Sequence, residues 1–326
     1  MLAVWYYRKN QTPPFFQIEG ETMATTYHVS YFDPQNRNFK ASIDSLLILV
    51  NKSINNYDTA SEVSRFNRSA EGIDLKLPYL LPALTIAQKV FTESNGAFDM
   101  TVMPLVNAWG FGPAQKVRPD STKIDSLKSL IGFEKISLSE NRITKSDPRV
   151  QLDFGGIGQG YGADVIGQFL KAKGIENMLV ELGGEGLAFG TNLETKKIWE
   201  IGILDPNSTR DNQFFKAYAS LSNKAFTTSG SYFNYREVDG KKFSHTIDPE
   251  TGYPANRALL SATVFAADCT TADAWGTALM VMGHEQAIEI LKAHPELDVL
   301  LLYTNEEGKL ESYVTDGIKN SVIINP

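Results

Sequence analysis

The chain has 326 residues, of which 42% are hydrophobic and 21% charged, and its net charge is −7. This composition is typical of a globular protein and excludes a disordered chain. The acidic balance, without lysine or arginine blocks, disfavours nucleic acids and anionic membranes as partners. The single cysteine, Cys269, excludes an internal disulfide and a cysteine-rich zinc site.

The N-terminus combines a short apolar run, the basic pair Arg8-Lys9 and a proline pair at 13–14. Two interpretations stay open for residues 1–17: the remnant of a signal or anchor segment followed by a linker, or a flexible terminus. No stretch of the sequence reaches the ~18 apolar residues of a membrane span. Residues 18–326 show no composition break and no internal repeat, so we expect one domain there.

Hydrophobic periodicity predicts the elements of this domain in chain order. Strands are predicted over 20–32, 150–156 and 177–184, and a hairpin with Gly308 in its turn begins at 298. Helices are predicted over 41–58, 81–96, 163–174, 271–283 and 284–294. Helices and strands do not alternate regularly. This favours an α+β fold, with mixed or antiparallel sheets and packed helices, over a doubly wound sheet.

The stretch "LDFGGIGQGYGAD" (152–164) matches the dinucleotide fingerprint G-x-G-x-x-G/A at Gly158, Gly160 and Ala163. A Rossmann oxidoreductase is therefore one hypothesis. The position in mid-chain weighs against it, and so does Asp153, whose carboxylate would repel a pyrophosphate unless a cation lay between them. Five glycines within 155–162 are more than one turn needs, so we expect the backbone here to approach another group closely.

Asp273 and Thr277 are four residues apart in a predicted helix and share one of its faces. A carboxylate and a hydroxyl suit a hard cation such as Mg²⁺, which takes oxygen ligands and completes its shell with water and phosphate. The alternative is that Asp273 is an acidic residue of the first helical turn, stabilised by the helix dipole.

His245 lies in "KKFSHTIDPETGYP" (241–254) and can transfer protons near neutral pH. An ordinary surface or core imidazole is the alternative. Asp248, with Pro249 and Gly252, has the chemistry of a turn. Residues three apart in an extended segment point to opposite faces, so a direct pair between His245 and Asp248 is not assured.

Several collinear blocks between residues 18 and 320 resemble the FAD:protein FMN transferases, the ApbE-type flavin transferases. Among them are "GAFDMTVMPLVNAWGFGP", "LDFGGIGQGYGAD", "HTIDPETGYP" and "TADAWGTALMVMG". The resemblance implies an ApbE-like α+β fold. It also implies an Mg²⁺-dependent enzyme that moves FMN from FAD onto a threonine or serine hydroxyl of a partner protein and releases AMP. The implied location is the periplasm, with a tether to the inner membrane in the full-length form.

The resemblance also assigns site residues by position. FAD contacts are implied at Met23, Tyr57, Ala97, Phe98, Asp99, Asp153, Gln159 and Leu260. Metal ligands are implied at the main-chain oxygen of Gly156 and at Asp273 and Thr277, and His245 matches the essential histidine. Gln159 stands where the family usually has lysine. This departure keeps two alternatives open: an FAD-binding carrier, and an FAD pyrophosphatase without transfer to protein.

Overall fold

The computed structural model of the protein describes residues 12–113, 119–209, 211–230, 235–238 and 241–325, with the backbone alone at 235–238 and 241–244. The described helices are α1 Lys40–Ile54, α2 Glu62–Arg68, α3 Leu80–Glu93, α4 Met103–Ala108, α5 Ser121–Lys128, α6 Gly158–Ala172, α7 Cys269–Met282 and α8 His284–Leu291. The described strands are β1 Phe15–Thr22, β2 Thr25–Phe32, β3 Gly72–Asp74, β4 Ile136–Ser139, β5 Arg142–Lys145, β6 Met178–Leu182, β7 Glu185–Phe189, β8 Thr191–Asn192, β9 Lys197–Leu204, β10 Phe215–Leu221, β11 Lys224–Gly230, β12 Tyr235–Val238, β13 Lys241–Ser244, β14 Leu259–Ala266, β15 Asp298–Thr304, β16 Leu310–Val314 and β17 Val322–Ile324.

The centre of the molecule is an eight-stranded sheet in the order β1-β2-β6-β7-β11-β14-β15-β16. Every neighbouring pair in it is antiparallel. Smaller sheets have the orders β17-β10-β9-β8 and β3-β5-β4, and β12 pairs with β13. The antiparallel sheets and packed helices confirm the predicted α+β class. They also contradict the Rossmann hypothesis, because the strand after the glycine stretch, β6, has antiparallel neighbours on both sides.

Successive side chains of the central sheet point to opposite faces, as the period of a strand requires. Val264 and Leu301 belong to a core that includes Trp275 of α7. The adjacent residue Phe265 belongs to a different core, which includes Trp199 of β9. Helices therefore cover one face of the sheet, and the four-stranded sheet covers the other.

The segment predicted as one strand over 20–32 is a hairpin of β1 and β2. Its turn residues Met23 and Ala24 have φ values of 50° and 59°. Two positive φ values in a two-residue loop are the pattern of a type I′ turn, which usually contains asparagine or glycine. The sequence lacks that signal. Because β1 already starts at Phe15, the last residues of the predicted segment 1–17 belong to the central sheet, whereas residues 1–11 lie outside the described part.

The strand predicted over 150–156 is wrong, because within this segment only Gln151 forms a bridge, with Val102, and residues 155–156 lie in a turn. The N–H of Asp153 donates to the carbonyl oxygen of Met100 at 2.7 Å, and two asparagine side chains bind the main chain of the residues on either side. Asn67 accepts the N–H of Leu152 at 2.7 Å and donates to its carbonyl oxygen at 2.9 Å. Asn56 donates to the same oxygen at 2.8 Å and accepts the N–H of Phe154 at 2.8 Å. The backbone on both sides of Asp153 is thus paired without a sheet.

Most other elements agree with the sequence analysis. The helices predicted over 41–58, 81–96, 271–283 and 284–294 correspond to α1, α3, α7 and α8, and the predicted hairpin corresponds to β15 and β16. The helix predicted from 163 begins earlier, at Gly158, so that the glycines at 158, 160 and 162 are helical. Within the described ranges, no helix combines the length and hydrophobicity needed to cross a membrane.

Candidate active site

Helices α6 and α7 approach each other closely at Gly160. A methyl group there would lie 2.4 Å from the main-chain oxygen of Cys269 and 2.7 Å from Cβ of Asp273. The N–H of Gly160 donates to Oδ2 of Asp273 at 3.0 Å. The close backbone approach predicted for the glycine stretch is confirmed, and the approached group is the neighbouring helix.

Two alanine substitutions on α6 should separate packing from helix propensity. We expect Gly158→Ala to raise the free energy of unfolding by about 0.5–1 kcal/mol, because alanine loses less entropy in a helix and a methyl group there meets no atom nearer than 3.5 Å. Gly160→Ala should lower it by about 1–3 kcal/mol through overpacking against α7. Urea denaturation measures both changes. Equal effects of the two substitutions would contradict the close contact at Gly160.

A buried acid of α6 holds the start of α7 in place. Asp164 accepts the backbone N–H groups of Cys269 and Thr270 at 2.9 and 2.8 Å, and it also accepts the Thr270 hydroxyl. Asp268 caps the same helix by accepting the N–H of Thr271 at 2.7 Å. The position of α7 along α6 is therefore set by direct bonds between the two helices.

Asp273 and Thr277 face the start of α6 and the bend that precedes it, residues 155–157. Asp273 bonds to Gly160, and a methyl group at Gly156 would lie 2.5 Å from Oγ1 of Thr277. The three residues predicted to provide metal ligands, Gly156, Asp273 and Thr277, therefore lie in one region where α7 meets the start of α6. The shared helix face predicted for Asp273 and Thr277 is confirmed; their role as ligands stays a prediction.

The charges in this region are unusual. Burial raises the pKa of Asp273 to about 7, although the N–H of Gly160 stabilises its ionised form. Burial also raises the pKa of Glu185, and the charge of Asp273 adds to that effect. Oε2 of Glu185 is buried without a hydrogen-bond partner among the described residues. Two buried carboxylates with such an orphaned oxygen are an environment that a cation would stabilise.

The available donors fit a hard divalent cation. A carboxylate, a hydroxyl and a main-chain oxygen are the ligand types that Mg²⁺ takes. Across the residues that the structure describes, no group of three or more His, Cys, Asp or Glu side chains could hold a metal ion. A cation bound by Asp273 and Thr277 would therefore have to complete its shell with main-chain, water or phosphate oxygens.

A cavity of about 700 Å³ opens beside the bend. This volume is within the range of small-molecule sites. Five of the predicted site residues line it: Met23, Tyr57, Asp153, Gln159 and His245. The first turn of α6 also reaches its wall through Gly158. The positive end of the α6 dipole therefore lies at the cavity, where it favours a bound anion.

The other four predicted FAD contacts do not line this cavity. Ala97 lines a second cavity of about 470 Å³. Phe98 and Asp99 are buried, at 4% and 5% exposure. Leu260 is partly buried in β14. The roles of these four residues as FAD contacts stay predictions.

Three backbone N–H groups of the glycine stretch form hydrogen bonds within the protein. Asp153 accepts the N–H of Gly155 at 3.0 Å, and the carbonyl oxygen of Phe154 accepts that of Gly158 at 2.9 Å. The N–H of Gly160 bonds to Asp273, as described above. These glycines therefore serve the packing of α6 and the shape of the bend.

The turn predicted after His245 is confirmed. Oδ1 of Asp248 accepts the backbone N–H groups of Glu250 and Thr251 at 2.9 and 3.2 Å. The other oxygen of Asp248 pairs with Arg257 at 3.2 Å. Asp248 is buried while His245 is exposed at the cavity wall, so the turn holds the backbone that carries the imidazole.

Asp99 should make stability depend on pH. Burial raises its pKa from 3.8 to about 6, although Oδ1 accepts the N–H and hydroxyl of Thr101. The folded state thus binds the proton more tightly, and this contribution to stability is lost as pH rises from about 4 through about 6. Between pH 4 and 7.5, we expect the free energy of unfolding of Asp99→Asn to gain about 2–3 kcal/mol relative to the parent. Urea denaturation across this pH range measures the difference in unfolding free energy between the variant and the parent. A difference that stays constant with pH would refute the raised pKa of Asp99.

Comparison with known proteins decides the family. The sequence model of the ApbE family matches residues 23–301. The chain belongs to the ApbE family. An FAD:protein FMN transferase of Vibrio cholerae is 34% identical over 309 residues, which cover 93% of this chain and 91% of the relative. One of Escherichia coli K12 is 31% identical over 316 residues, covering 94% of this chain and 89% of the relative.

Solved structures of ApbE proteins agree with this assignment. The flavin transferase ApbE of Vibrio cholerae has a TM-score of 0.84 at 32% identity, covering 94% of this chain and 99% of that one. The apo flavinyl transferase ApbE of Pseudomonas stutzeri has a TM-score of 0.83 at 29% identity, with coverage of 96% and 98%. The ApbE-like fold predicted from the sequence is confirmed.

Four residues at or beside the site were not predicted from the sequence: Asn56, Asn67, Asp164 and Glu185. None belongs to a motif with its own spacing rule. One signal was present for Glu185, an acid that follows a glycine pair and starts a short apolar strand. A charge at a strand start that becomes buried needs a partner. The asparagines gave no comparable signal, because their partners are about 85–98 residues away.

Proposed function

We propose that this chain is a flavin transferase that binds FAD in the cavity beside α6 and moves FMN onto a hydroxyl of a partner protein. The observation that carries the proposal is the convergence of Asp273, Thr277 and the Gly156 bend next to a cavity lined by His245. The names of the ApbE relatives support the reaction class. The threonine or serine acceptor and the need for Mg²⁺ are parts of the proposal.

In the proposed reaction, the acceptor hydroxyl oxygen forms a bond to the FMN phosphorus of FAD. The bond from that phosphorus to the AMP oxygen breaks, and AMP leaves. His245 takes the proton of the attacking hydroxyl, which is the role of a general base. A divalent cation, when bound, neutralises charge on the pyrophosphate. Asp273 and Thr277 would hold that cation, and the N-terminus of α6 would face the phosphates.

Gln159 brings no positive charge to the site. Its side chain lines the cavity and reaches toward the turn between β6 and β7, where a methyl group at Gly183 would lie 2.5 Å from Nε2. A neutral amide can donate a hydrogen bond to phosphate but supplies no positive charge. We therefore expect charge neutralisation to depend on the cation and the α6 dipole.

Mass spectrometry tests the proposed function. The protein is incubated with FAD, Mg²⁺ and a candidate acceptor protein, and a variant of the acceptor with valine at the modified position is the control. We expect the acceptor to gain the mass of FMN less one water, with release of an equal amount of AMP. Added chelator should stop both. Transfer that continues in excess chelator would refute the metal assignment.

The same experiment separates the alternatives. AMP and free FMN without a modified acceptor would indicate an FAD pyrophosphatase. FAD that stays bound and intact would indicate a carrier. Export to the periplasm and a tether to the inner membrane are also proposals, based on the family resemblance and the sequence of residues 1–17. Fractionation of cells that produce the natural full-length protein tests both.

A further inference from the structure

Glu185 is a buried acid to which neither the fold nor the proposed reaction gives a role. It is the first residue of β7 and is 8% exposed. Its Oε2 and the hydroxyl of Thr227 both lack a partner with good hydrogen-bond geometry in the part of the chain that the structure describes, although this hydroxyl is close enough to lower the pKa of Glu185. An unsatisfied buried acceptor costs about 1–3 kcal/mol, and more when it is charged. A carboxylate kept at that cost points to a positively charged partner.

The packing places Glu185 beside the metal-binding face of α7. Strand β7 pairs with β11, and α7 packs on both strands. At Gly276, three residues after Asp273, a methyl group would lie 2.6 Å from Oγ of Ser229 and 3.4 Å from Cγ2 of Thr227, both on β11. Phe226 pairs with Gly186 in antiparallel register, so the next residue of β11, Thr227, lies beside Glu185. Glu185 is therefore close to the helical turn that follows Asp273.

We propose that Glu185 is the second acid of the cation site and sets its affinity for a divalent metal. The proposal rests on the proposed function, in which Asp273 is a metal ligand. Two like charges repel each other strongly in a protein interior, and a divalent cation neutralises both. Glu185 acts as a positioning residue: it adds negative charge behind Asp273 and contacts neither the flavin nor the acceptor. Its negative charge therefore strengthens binding of the cation at Asp273.

Binding of Mn²⁺ to the full chain without FAD tests this inference. Free Mn²⁺ is followed by electron paramagnetic resonance during titration. We expect Glu185→Gln to weaken Mn²⁺ binding by about 10–100-fold, the usual effect of losing an outer-shell partner. Glu185→Asp, which keeps the charge, should restore part of the affinity. This pair separates the effect of charge from the effect of shape.

A matched control is available in Glu62. It is 2% exposed, and its carboxylate accepts the Ser53 hydroxyl and the N–H of Lys76. Glu62→Gln is thus the same change at a buried glutamate that already has hydrogen-bond partners. We expect it to leave Mn²⁺ affinity unchanged. An equal loss in Glu62→Gln and Glu185→Gln would overturn the inference, because it would reflect general destabilisation.

Asp273→Asn separates failure of the inference from failure of the proposed function. If Asp273→Asn loses Mn²⁺ binding while Glu185→Gln keeps the parent affinity, Glu185 is not part of the site and the metal assignment survives. If Asp273→Asn keeps the parent affinity, the metal assignment fails and the inference fails with it. Thermal unfolding adds a second measure. Mn²⁺ should raise the Tm of Glu185→Gln less than that of the parent, and an equal rise would refute the role of the charge.

Discussion

Replacing Asp273 with asparagine should weaken divalent-cation binding by at least about 100-fold and reduce flavin transfer to near background. Asparagine keeps an oxygen that can accept the N–H of Gly160, so the contact between α6 and α7 is preserved. What the substitution removes is the negative charge. The loss should therefore appear in metal affinity and turnover, with little change in the fold. Isothermal titration with Mn²⁺ and AMP release in the presence of FAD measure the two effects.

Asp268 offers a control on the same helix. It caps α7 through the N–H of Thr271 at 2.7 Å and lies outside the group formed by Asp273, Thr277 and the bend. Asp268→Asn should cost at most about 1 kcal/mol of stability and leave cation affinity unchanged. If Asp273→Asn and Asp268→Asn behave alike, the effect belongs to the helix and the metal assignment is wrong.

Replacing His245 with alanine should slow transfer by about 10²–10⁴-fold, which is the usual contribution of a general base. The imidazole is exposed at the wall of the cavity that also contains Asp153 and Gln159. It can therefore meet an incoming hydroxyl without being needed to hold the flavin. We expect FAD affinity, measured by quenching of flavin fluorescence, to change by less than about threefold, whereas the transfer rate collapses.

His284 is the matched control for this substitution. Its ring stacks on Tyr303, with centroids 4.2 Å apart, and it does not line the cavity. His284→Ala should leave both FAD binding and transfer unchanged. If His245→Ala lowers FAD affinity in parallel with the rate, the histidine is a binding residue and the assigned proton transfer is wrong.

The sequence predicted the parts of the fold whose pattern is local. Helix α1 has apolar residues at helical spacing, α7 is a long run of small and apolar residues, and Gly308 marks a hairpin turn, so each could be placed from neighbouring residues alone. The turn at Met23-Ala24 could not, because its positive φ values are imposed by the pairing of β1 and β2. The start of α6 was also missed, because glycine disfavours helices and only packing against α7 compensates for it.

The candidate site was predictable to a similar degree. The spacing of Asp273 and Thr277 indicated a shared face, and the glycine count indicated a close approach. The surface that the glycines approach depends on tertiary packing. The burial that raises the pKa of Asp273 to about 7 depends on it as well. The acid pair of Asp273 and Glu185 is formed by residues 88 positions apart, whose proximity no local pattern reveals.

The hydrogen bonds from Asn56 and Asn67 to the segment around Asp153 affect how well this protein tolerates mutation. A neighbouring strand contributes main-chain groups, which survive almost any substitution. Here the main-chain groups of Leu152 and Phe154 are bound by two side-chain carboxamides, and a single codon change can remove either carboxamide. Even aspartate, the nearest isostere, replaces a donor with an acceptor opposite a carbonyl. The wall of the cavity therefore depends on the identity of two side chains that are distant in sequence from Asp153. Asn56 lines the cavity itself, whereas Asn67 does not, so lineages should also lose activity through mutation of Asn67, outside the cavity lining.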